Sequence, residues 1–294
     1  MKINSSIIAA GKKKLASSTI IVCGIVRDCA YNLKRNISTI NKFCELAKDY
    51  HIVIYENDSV DGTKDILLQW QKEQKNVHVS INDFNAITIP SKSTNINRFF
   101  SRSRIEKMAK YRNFYLDYIE ANSLKSDYII VVDLDVKKIF LNGVISSFAI
   151  EQEWDAIAAN GYIYSLSAWL KKRYNDAYAL VESGKRDIPQ TEKSIADNQY
   201  YWAFLKLGMP IIRVFSAFGG FTIYKSEALQ RLKYKVLDNN DERVEVRCEH
   251  FSLYCQMADR GFDKVYINPN MRVKYQPYIF SVINNIFKKL KNAL

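Results

Sequence analysis

Two aspartates separated by one residue, Asp133 and Asp135, follow a short apolar run that starts at Tyr128. A continuous run of branched residues indicates a strand buried on both faces, as in the middle of a parallel sheet. Because side chains alternate along a strand, both carboxylates should point to the same side. Two like charges at the edge of a core are costly unless a cation or a shared proton compensates them. The pair therefore predicts Mn²⁺ or Mg²⁺ bound by Asp133 and Asp135, with solvated aspartates at a strand end as the alternative.

A second polar motif, with the sequence DSVDGT, begins at Asp58 after a predicted strand at 51–55. Asp, Ser and Gly in this order are typical of a turn that caps the following helix. The carboxyl ends of parallel strands share one edge of a sheet, so Asp58 should lie at the same edge as the aspartate pair. Its carboxylate is therefore suited to accept hydrogen bonds from a nucleobase or from ribose hydroxyls, unless it serves only the turn.

The helix predicted at 105–119 carries Arg112 on a face that otherwise holds apolar residues such as Ile105 and Leu116. A guanidinium in that position must be paired with a carboxylate of the protein or with an anionic ligand. A diphosphate site and a structural salt bridge to one of the aspartates are the two interpretations. Three arginines that could join a diphosphate site lie just upstream, at Arg98, Arg102 and Arg104.

Glu249 and His250 begin the last helix that the sequence predicts, at 249–260. His250 shares a helix face with Leu253 and Met257, so its ring should point inward. A lone histidine on an apolar face is more often a core residue than a ligand. Because a carboxylate adjoins this one, a base or metal-ligand role for one of the pair remains a hypothesis.

Strands and helices alternate through the first half of the chain. The predicted strands are 19–26, 51–55, 77–81 and the run from Tyr128, and the predicted helices are 33–44, 65–74 and 105–119. This order predicts an α/β fold with a parallel sheet covered by helices. In the second half, strands at 154–159 and 218–224 and the helix at 249–260 lie between irregular segments, which indicates an insertion-rich region that selects a substrate.

No long linker or repeat interrupts the 294 residues, so we expect one elaborated domain at 19–277. A basic extension at 1–18 precedes it. Residues 278–294 place isoleucine, leucine and phenylalanine at helical spacing beside lysines, which predicts an amphipathic basic helix. This helix suits the surface of an anionic membrane, and docking onto its own domain is the equally weighted alternative.

The net charge of +12 calls for an anionic partner such as nucleic acid, a membrane surface or a phosphorylated substrate. No helix-turn-helix, zinc-finger or RNA-binding signature is present, so we expect no nucleic-acid partner. Five cysteines without a CxxC pair, and three histidines, argue against a structural zinc site or a disulfide framework. No run approaches the length of a membrane span. We expect a cytoplasmic protein, peripheral at the inner face of the plasma membrane if the tail binds lipid.

The order of these motifs resembles that of nucleotide-sugar-dependent glycosyltransferases of the GT-A fold. The motifs are DSVDGT after a strand, Arg112-Asn113 on a helix, Asp133 and Asp135 after an apolar strand, and Glu249-His250 on a late helix. The first half is similar to the large family-2 group. The residues at 56–59 and Arg112-Asn113 also resemble the fungal capsule mannosyltransferases of the CAP59 type. The resemblance covers residues 19–273.

The resemblance implies a three-layer GT-A sandwich with a mostly parallel sheet. It implies a metal-dependent hexosyltransferase that moves one sugar from a nucleotide sugar to a glycan or lipid-linked acceptor, in capsule or lipopolysaccharide synthesis. Residues 19–136 would bind the donor and 137–277 the acceptor. Asp135 would be the direct metal ligand, Asp133 would contact the metal or the ribose, and His250 would be a further metal ligand. Donor contacts would come from Asp28, Asp58, Arg112, Asp133, Trp154 and Asp155.

The chain also departs from the family-2 pattern. Those enzymes often carry Glu-Asp where this chain has Glu249-His250, so Glu249 is the first candidate for the base of an inverting enzyme and His250 the second. A retaining enzyme needs no such base. The absence of the Gln-x-x-Arg-Trp motif favours transfer of a single sugar, and the glycines and aromatics of 215–221 suit an acceptor wall. The alternatives from other classes are a nucleotidyltransferase and a non-enzymatic, basic nucleic-acid-binding protein.

Overall fold

One mixed sheet organises the protein in the computed structural model, which describes residues 3–87, 89, 90, 96–165 and 171–276. The strands are β1 (Thr19–Val26), β2 (Asp49–Asn57), β3 (Val77–Asn82), β4 (Tyr128–Val132), β5 (Lys138–Ile139), β6 (Ala156–Ser165), β7 (Lys171–Tyr174), β8 (Val181–Glu182), β9 (Ile212–Ser216), β10 (Phe221–Lys225) and β11 (Val265–Lys274). The helices are α1 (Ser5–Ala16), α2 (Ala30–Cys44), α3 (Thr63–Glu73), α4 (Arg102–Ala121), α5 (Leu141–Ser147), α6 (Glu192–Tyr201), α7 (Ser226–Leu229) and α8 (Glu249–Ala258).

The strands follow the order β3-β2-β1-β4-β10-β6-β11-β9-β8, with β5 paired to β11 and β7 paired to β6. The first four strands on this path are parallel to one another. Only β10 and β9 run against the other strands of the path, because β6 returns to the direction of β4 and β11 is parallel to β6. The predicted α/β class with a mostly parallel central sheet is therefore confirmed.

Alternate residues of the central strands enter two separate cores, as expected for a sheet covered on both faces. Ile20 and Val22 pack with α2 on one face, whereas Ile21 and Cys23 pack with α4 and α8 on the other. All of β4 is buried. This packing holds the chain rigid up to residue 132 and leaves the next residues at the carboxyl edge of the sheet.

Residues 5–16, which the sequence assigned to a basic extension, form helix α1 and pack against α5. Leu15 is fully buried, and a Cβ atom on Gly11 would lie 2.1 Å from the carbonyl oxygen of Ile145. The two helix backbones therefore touch at this glycine. The predicted helix at 278–294 falls outside the described residues. Within the described part of the chain, no helix has the length and apolar character that a membrane span needs.

Candidate active site

A cleft of about 320 Å³ opens at the carboxyl ends of β1 and β4. Its walls come from these strand ends, α4, the start of α8, and the segments that follow β7 and β11. Arg104 lines the cleft together with five of the predicted metal, donor and base residues: Arg112, Asp133, Asp135, Glu249 and His250. Four others, Asp28, Asp58, Trp154 and Asp155, do not line it. The structure thus brings together the residues of the aspartate pair, the arginine helix and the late helix.

Arg112 lies at the centre of the cleft and joins two of its carboxylates. Its Nε donates to Oε1 of Glu249 at 2.9 Å, and one terminal nitrogen lies 3.8 Å from Oδ1 of Asp133. The guanidinium also lies over the rings of Phe218 and Tyr234, 5.0 and 5.9 Å from their centroids. Arg112 therefore makes a structural salt bridge with Glu249. It also remains a candidate for the diphosphate site, because it lines the cleft next to Asp133.

The Glu249 carboxylate is committed to Arg112 and is poorly suited to serve as a base. Burial has the largest single effect and would raise the pKa of Glu249, but Arg112, His250 and Arg104 together outweigh it and lower that pKa to about 2. A general base works best with a pKa near the operating pH. The first candidate for the base is therefore better described as the residue that orients Arg112.

His250 is enclosed rather than presented to a ligand. Its ring stacks on Phe218 with centroids 4.0 Å apart, and both ring nitrogens are buried without a hydrogen-bond partner. Burial, and then the charge of Arg112, lower the pKa of His250 well below its usual value. Among the described residues, no group of three or more histidines, cysteines and carboxylates is arranged to hold a metal. The buried ring of His250 is thus poorly suited to the predicted role of metal ligand, and metal binding by Asp133 and Asp135 remains a prediction.

Asp133 and Asp135 remain a matched pair for a divalent cation. The Asp133 carboxylate accepts a hydrogen bond from Tyr275 Oη at 2.9 Å, while Asp135 faces the open cleft. The surrounding protein removes water from Asp135 and raises its pKa to about 7, and the charge of Asp133 adds to this shift. Oxygen ligands that repel each other in this way fit Mn²⁺ or Mg²⁺, because a bound cation removes the repulsion.

Two asparagines of α2 hold the turn that carries the aspartate pair. The buried Asn36 amide donates to the carbonyl oxygens of Leu134 and Val136 at 2.8 and 2.7 Å. Asn32 donates to the carbonyl oxygen of Asp135 at 3.0 Å. These side chains replace the backbone partners that the chain loses where β4 ends. The sequence contained no signal for this role, because the partners lie about a hundred positions apart.

We expect Asn36→Ala to weaken binding of a metal–nucleotide complex about tenfold and to lower the free energy of unfolding by roughly 1–3 kcal/mol, because two buried carbonyls lose their donor. Denaturant unfolding and calorimetric titration would measure the two effects. The exposed Asn122, whose amide reaches only Tyr118 in its own helix, provides the control Asn122→Ala. Nucleotide affinity equal to that of the wild type in Asn36→Ala would contradict the role of Asn36.

Asp58 and Asp28 serve the loops behind the cleft. Asp58 accepts hydrogen bonds from the backbone amides of Phe84 and Asn85 at 2.6 and 2.7 Å, and a third from Ala86 at 3.3 Å. Asp28 accepts from the backbone amide of Val60 at 2.9 Å. Both aspartates have positive φ, which suits turn residues. Asp28 and Asp58 thus hold the turn after β2 and loop 84–86, and their predicted nucleotide contacts remain predictions.

Trp154 and Asp155 lie at the other end of the sheet. They precede β6, which runs in the direction of β4, so they lie near the start of β4 and not near Asp133. Trp154 stacks on Tyr128 with centroids 5.7 Å apart, and Asp155 accepts a hydrogen bond from the backbone amide of Lys264 at 2.9 Å. The structure thus places Trp154 and Asp155 away from the cleft, in contacts that fit core packing, the alternative interpretation, and it gives no support to their predicted contacts with the donor sugar.

The sequence gave no indication of a fourth carboxylate in the cleft, Asp176. It follows β7 and accepts a hydrogen bond from the backbone amide of Gly219 at 3.1 Å. Burial raises the pKa of Asp176 to about 7, and the charge of Asp133 contributes. Gly219 lies in the predicted acceptor wall, where a Cβ atom would lie 2.0 Å from the carbonyl oxygen of Ala159. Asp176 could be found only from the tertiary structure, because no motif surrounds it.

Comparison with known proteins places this arrangement in context. The family described as Cryptococcal mannosyltransferase 1, of the CAP59 type, matches residues 20–256. A sequence search of curated proteins finds no match.

Similar solved structures include the mannosyltransferase PcManGT from Pyrobaculum calidifontis, in complex with GDP-Man and Mn²⁺, at 10% identity and a TM-score of 0.45. Residues 1–349 of S. aureus TarS align at 10% identity and 0.47, and M. tuberculosis glucosyl-3-phosphoglycerate synthase at 11% and 0.46. The alignments cover 92%, 88% and 92% of this chain and 64%, 60% and 76% of the respective structures. The chain thus spans less than two thirds of the first two.

Proposed function

The chain belongs to the family described as Cryptococcal mannosyltransferase 1, and on that premise we propose that it transfers one hexose from a nucleotide sugar to a glycan or lipid-linked acceptor with the help of a divalent metal. Membership in this family confirms the resemblance to CAP59-type mannosyltransferases, and with it the glycosyltransferase class, that the motif order predicted. Mannose is the first candidate for the transferred sugar, because the family is described by that activity. Surface polysaccharide synthesis, of capsule or lipopolysaccharide, is the proposed setting.

The proposal depends chiefly on one observation, the meeting of Asp133, Asp135 and Arg112 in one cleft at the carboxyl edge of the sheet. Cleavage of the bond between the anomeric carbon and the diphosphate leaves negative charge on the diphosphate. A metal held by Asp133 and Asp135 would supply stabilisation of that charge. The arrangement therefore fits transfer from a diphosphate-activated sugar.

The protein's own residues complete this environment. Glu249 holds Arg112 in a fixed orientation, and the Tyr275 hydroxyl donates a hydrogen bond to Asp133, so neither charged group has to reorganise when the donor arrives. Arg27 and Arg104 also line the cleft and place further positive charge near the proposed diphosphate. Of the arginines upstream of Arg112, Arg104 thus lies in the site, whereas Arg102 pairs with Asp238 and Glu245.

Asp176 replaces Glu249 as the candidate base. An inverting transfer requires a group that takes a proton from the acceptor hydroxyl, and a carboxyl with a pKa of about 7 is matched to that task. A retaining transfer does not need it, and Asp176 would then contact sugar hydroxyls. The anomeric configuration of the product, followed by NMR during transfer, distinguishes the two reactions.

The most direct test is a thermal-shift screen of GDP-mannose, other nucleotide sugars and the free nucleoside diphosphates, with and without Mn²⁺. A ligand that binds only the folded state raises the melting temperature. At a concentration a hundred times its Kd, it adds about 2.7 kcal/mol to the free energy of unfolding. We expect a metal-dependent shift for one nucleotide series. If no nucleotide sugar shifts the melting temperature and none is hydrolysed, the proposed function is wrong.

We also propose that residues 278–294 bind an anionic membrane surface, which would place the enzyme at the inner face of the plasma membrane. The support is the sequence itself, with apolar residues at helical spacing beside lysines. Removal of 278–294 should reduce cosedimentation with phosphatidylglycerol vesicles several-fold and leave the nucleotide-induced thermal shift unchanged. Equal sedimentation of the shortened and full chains would contradict this assignment.

A further inference from the structure

A cluster of five cations adjoins the cleft on its β6–β11 side: Lys138, Lys172, Lys206, Arg272 and Lys274, here called the basic patch. Lys274 pairs across the strands with Lys138 and with Tyr162, and Lys172 pairs with Tyr164. Two residues of the patch are followed closely in the chain by residues that line the cleft. Lys274 immediately precedes Tyr275, which contacts Asp133, and Lys172 lies four positions before Asp176.

None of these five cations forms an ion pair with a carboxylate of the described residues. Lys172 donates instead to the carbonyl oxygens of Ala203 and Leu205. Burial, followed by the neighbouring charges of Arg272 and Lys206, lowers the pKa of Lys172 to about 8. The cations therefore repel one another, and an anion placed among them would relieve that repulsion.

Aromatic rings lie among and beside these cations. Lys138 and Arg272 lie 5.0 and 4.3 Å from the ring centroid of Phe140, and Lys274 lies 5.2 Å from that of Tyr164. Exposed rings extend this surface along α6 and the turn after it. They are Tyr200, Tyr201 and Phe204, which are 52%, 64% and 40% exposed, and Arg173 lies over Tyr200.

We propose that the basic patch and the exposed rings beside it bind an acidic saccharide acceptor, with its phosphate or carboxylate groups on the cations and its sugar rings on the aromatic faces. The inference rests on the proposed function, because it names the acceptor class of that same site. Cations alone would suit any polyanion, whereas aromatic faces next to them suit sugar rings. An acceptor held there would lie beside the segments that continue from Lys274 and Lys172 to Tyr275 and Asp176, which line the cleft.

The test measures binding of the full chain to an acidic oligosaccharide, a heparin hexasaccharide, by calorimetric titration at low and physiological salt. The neutral comparison is a dextran oligosaccharide of similar length, and polyphosphate, duplex DNA and phosphatidylglycerol vesicles are the comparison anions. The variant is Lys138→Glu/Lys206→Glu, since both lysines are exposed. The matched control is Lys72→Glu/Lys75→Glu, which makes the same charge change on the exposed end of α3 and the residues after it.

We expect the acidic oligosaccharide to bind more tightly than the dextran and than polyphosphate, and the patch variant to lose at least tenfold in affinity while the control loses less than twofold. Tyr201→Ala should weaken binding of the acidic oligosaccharide and leave the affinity for polyphosphate unchanged. Equal loss in the two double variants, or preference for DNA, vesicles or polyphosphate over the saccharide, would overturn the inference.

Nucleotide-sugar binding is measured in parallel on the same variants by thermal shift, which requires no acceptor. Loss of saccharide binding with an intact nucleotide shift supports the inference. A wild-type chain that binds nucleotide sugars but not the acidic saccharide refutes the acceptor class alone. A chain that binds no nucleotide sugar refutes the proposed function, whatever it does with the saccharide.

Discussion

Asp135→Asn is expected to lower the rate of sugar transfer by a factor on the order of 10³ and to abolish the Mn²⁺-dependent part of nucleotide binding. Asp135 faces the cleft, and its carboxylate would be one of the ligands of the cation that the diphosphate contacts. An amide keeps the shape of the side chain but removes its charge. Initial rates at saturating donor, and thermal shifts with nucleotide in the presence and absence of Mn²⁺, measure the two effects.

The same substitution should not destabilise the metal-free protein, which separates a functional loss from misfolding. The folded-state pKa of Asp135 is raised to about 7 from an ordinary value of 3.8, so the charged form is disfavoured by folding. The associated stability is fully present below pH 4 and is lost as the pH rises through 7. At pH 8, Asp135→Asn should therefore melt at the same temperature as the wild type or higher. A lower melting temperature without metal, or transfer at the wild-type rate, would contradict the assignment.

Arg112→Met is expected to lower the free energy of unfolding by about 3–5 kcal/mol, the cost of breaking a buried ion pair and leaving one charge uncompensated. Arg112 and Glu249 are both buried, and their contact joins α4 to α8 across 137 positions of sequence. Without Arg112, burial would raise the pKa of Glu249, so the variant should regain stability on acidification. Urea unfolding at pH 5 and pH 8 measures this difference.

The double variant Arg112→Met/Glu249→Gln should recover a large part of the lost stability, because Glu249, the buried carboxylate that Arg112 contacts at 2.9 Å, is then replaced by a neutral amide. Glu249→Gln alone also tests whether Glu249 is the base. If Glu249 is the base, Glu249→Gln should lower the rate of sugar transfer by a factor of at least about 10² and leave nucleotide binding unchanged. Because we assign Glu249 to orienting Arg112, we expect its loss to weaken nucleotide binding as well. A fall in rate without any change in nucleotide affinity would restore Glu249 as the base.

Local patterns predicted the first half of the fold well. The predicted first strand, 19–26, coincides with β1, and the helix predicted at 105–119 lies within α4. These elements are apolar runs and amphipathic stretches whose period is visible within a dozen residues. The second half was harder, since β7 and β8 have only four and two residues. Their order in the sheet depends on crossovers between distant segments.

The predicted site residues that lie outside the cleft also show that contacts between distant segments cannot be seen in a local pattern. Asp58 carries a motif and a position at the correct edge of the sheet, yet its carboxylate is used by the backbone of loop 84–86. The resemblance implied donor contacts for Trp154 and Asp155, but the direction of β6 puts both residues at the opposite edge of the sheet. Conversely, Asp176 enters the cleft without any motif. Sequence patterns indicate which residues are suited to chemistry, while strand direction and loop packing determine where those residues lie.

The sequence by itself determined that Asp133 and Asp135 follow a buried strand and that Arg112 lies on an apolar helix face, because both facts depend on near neighbours. Only the tertiary structure decided that Arg112 is held by Glu249 and that His250 is closed off behind Phe218. It also decided that Asn36 supports the aspartate turn from a distant helix. The physical reason is that charge pairing and burial depend on distances between atoms, and segments far apart in the chain come together only when it folds.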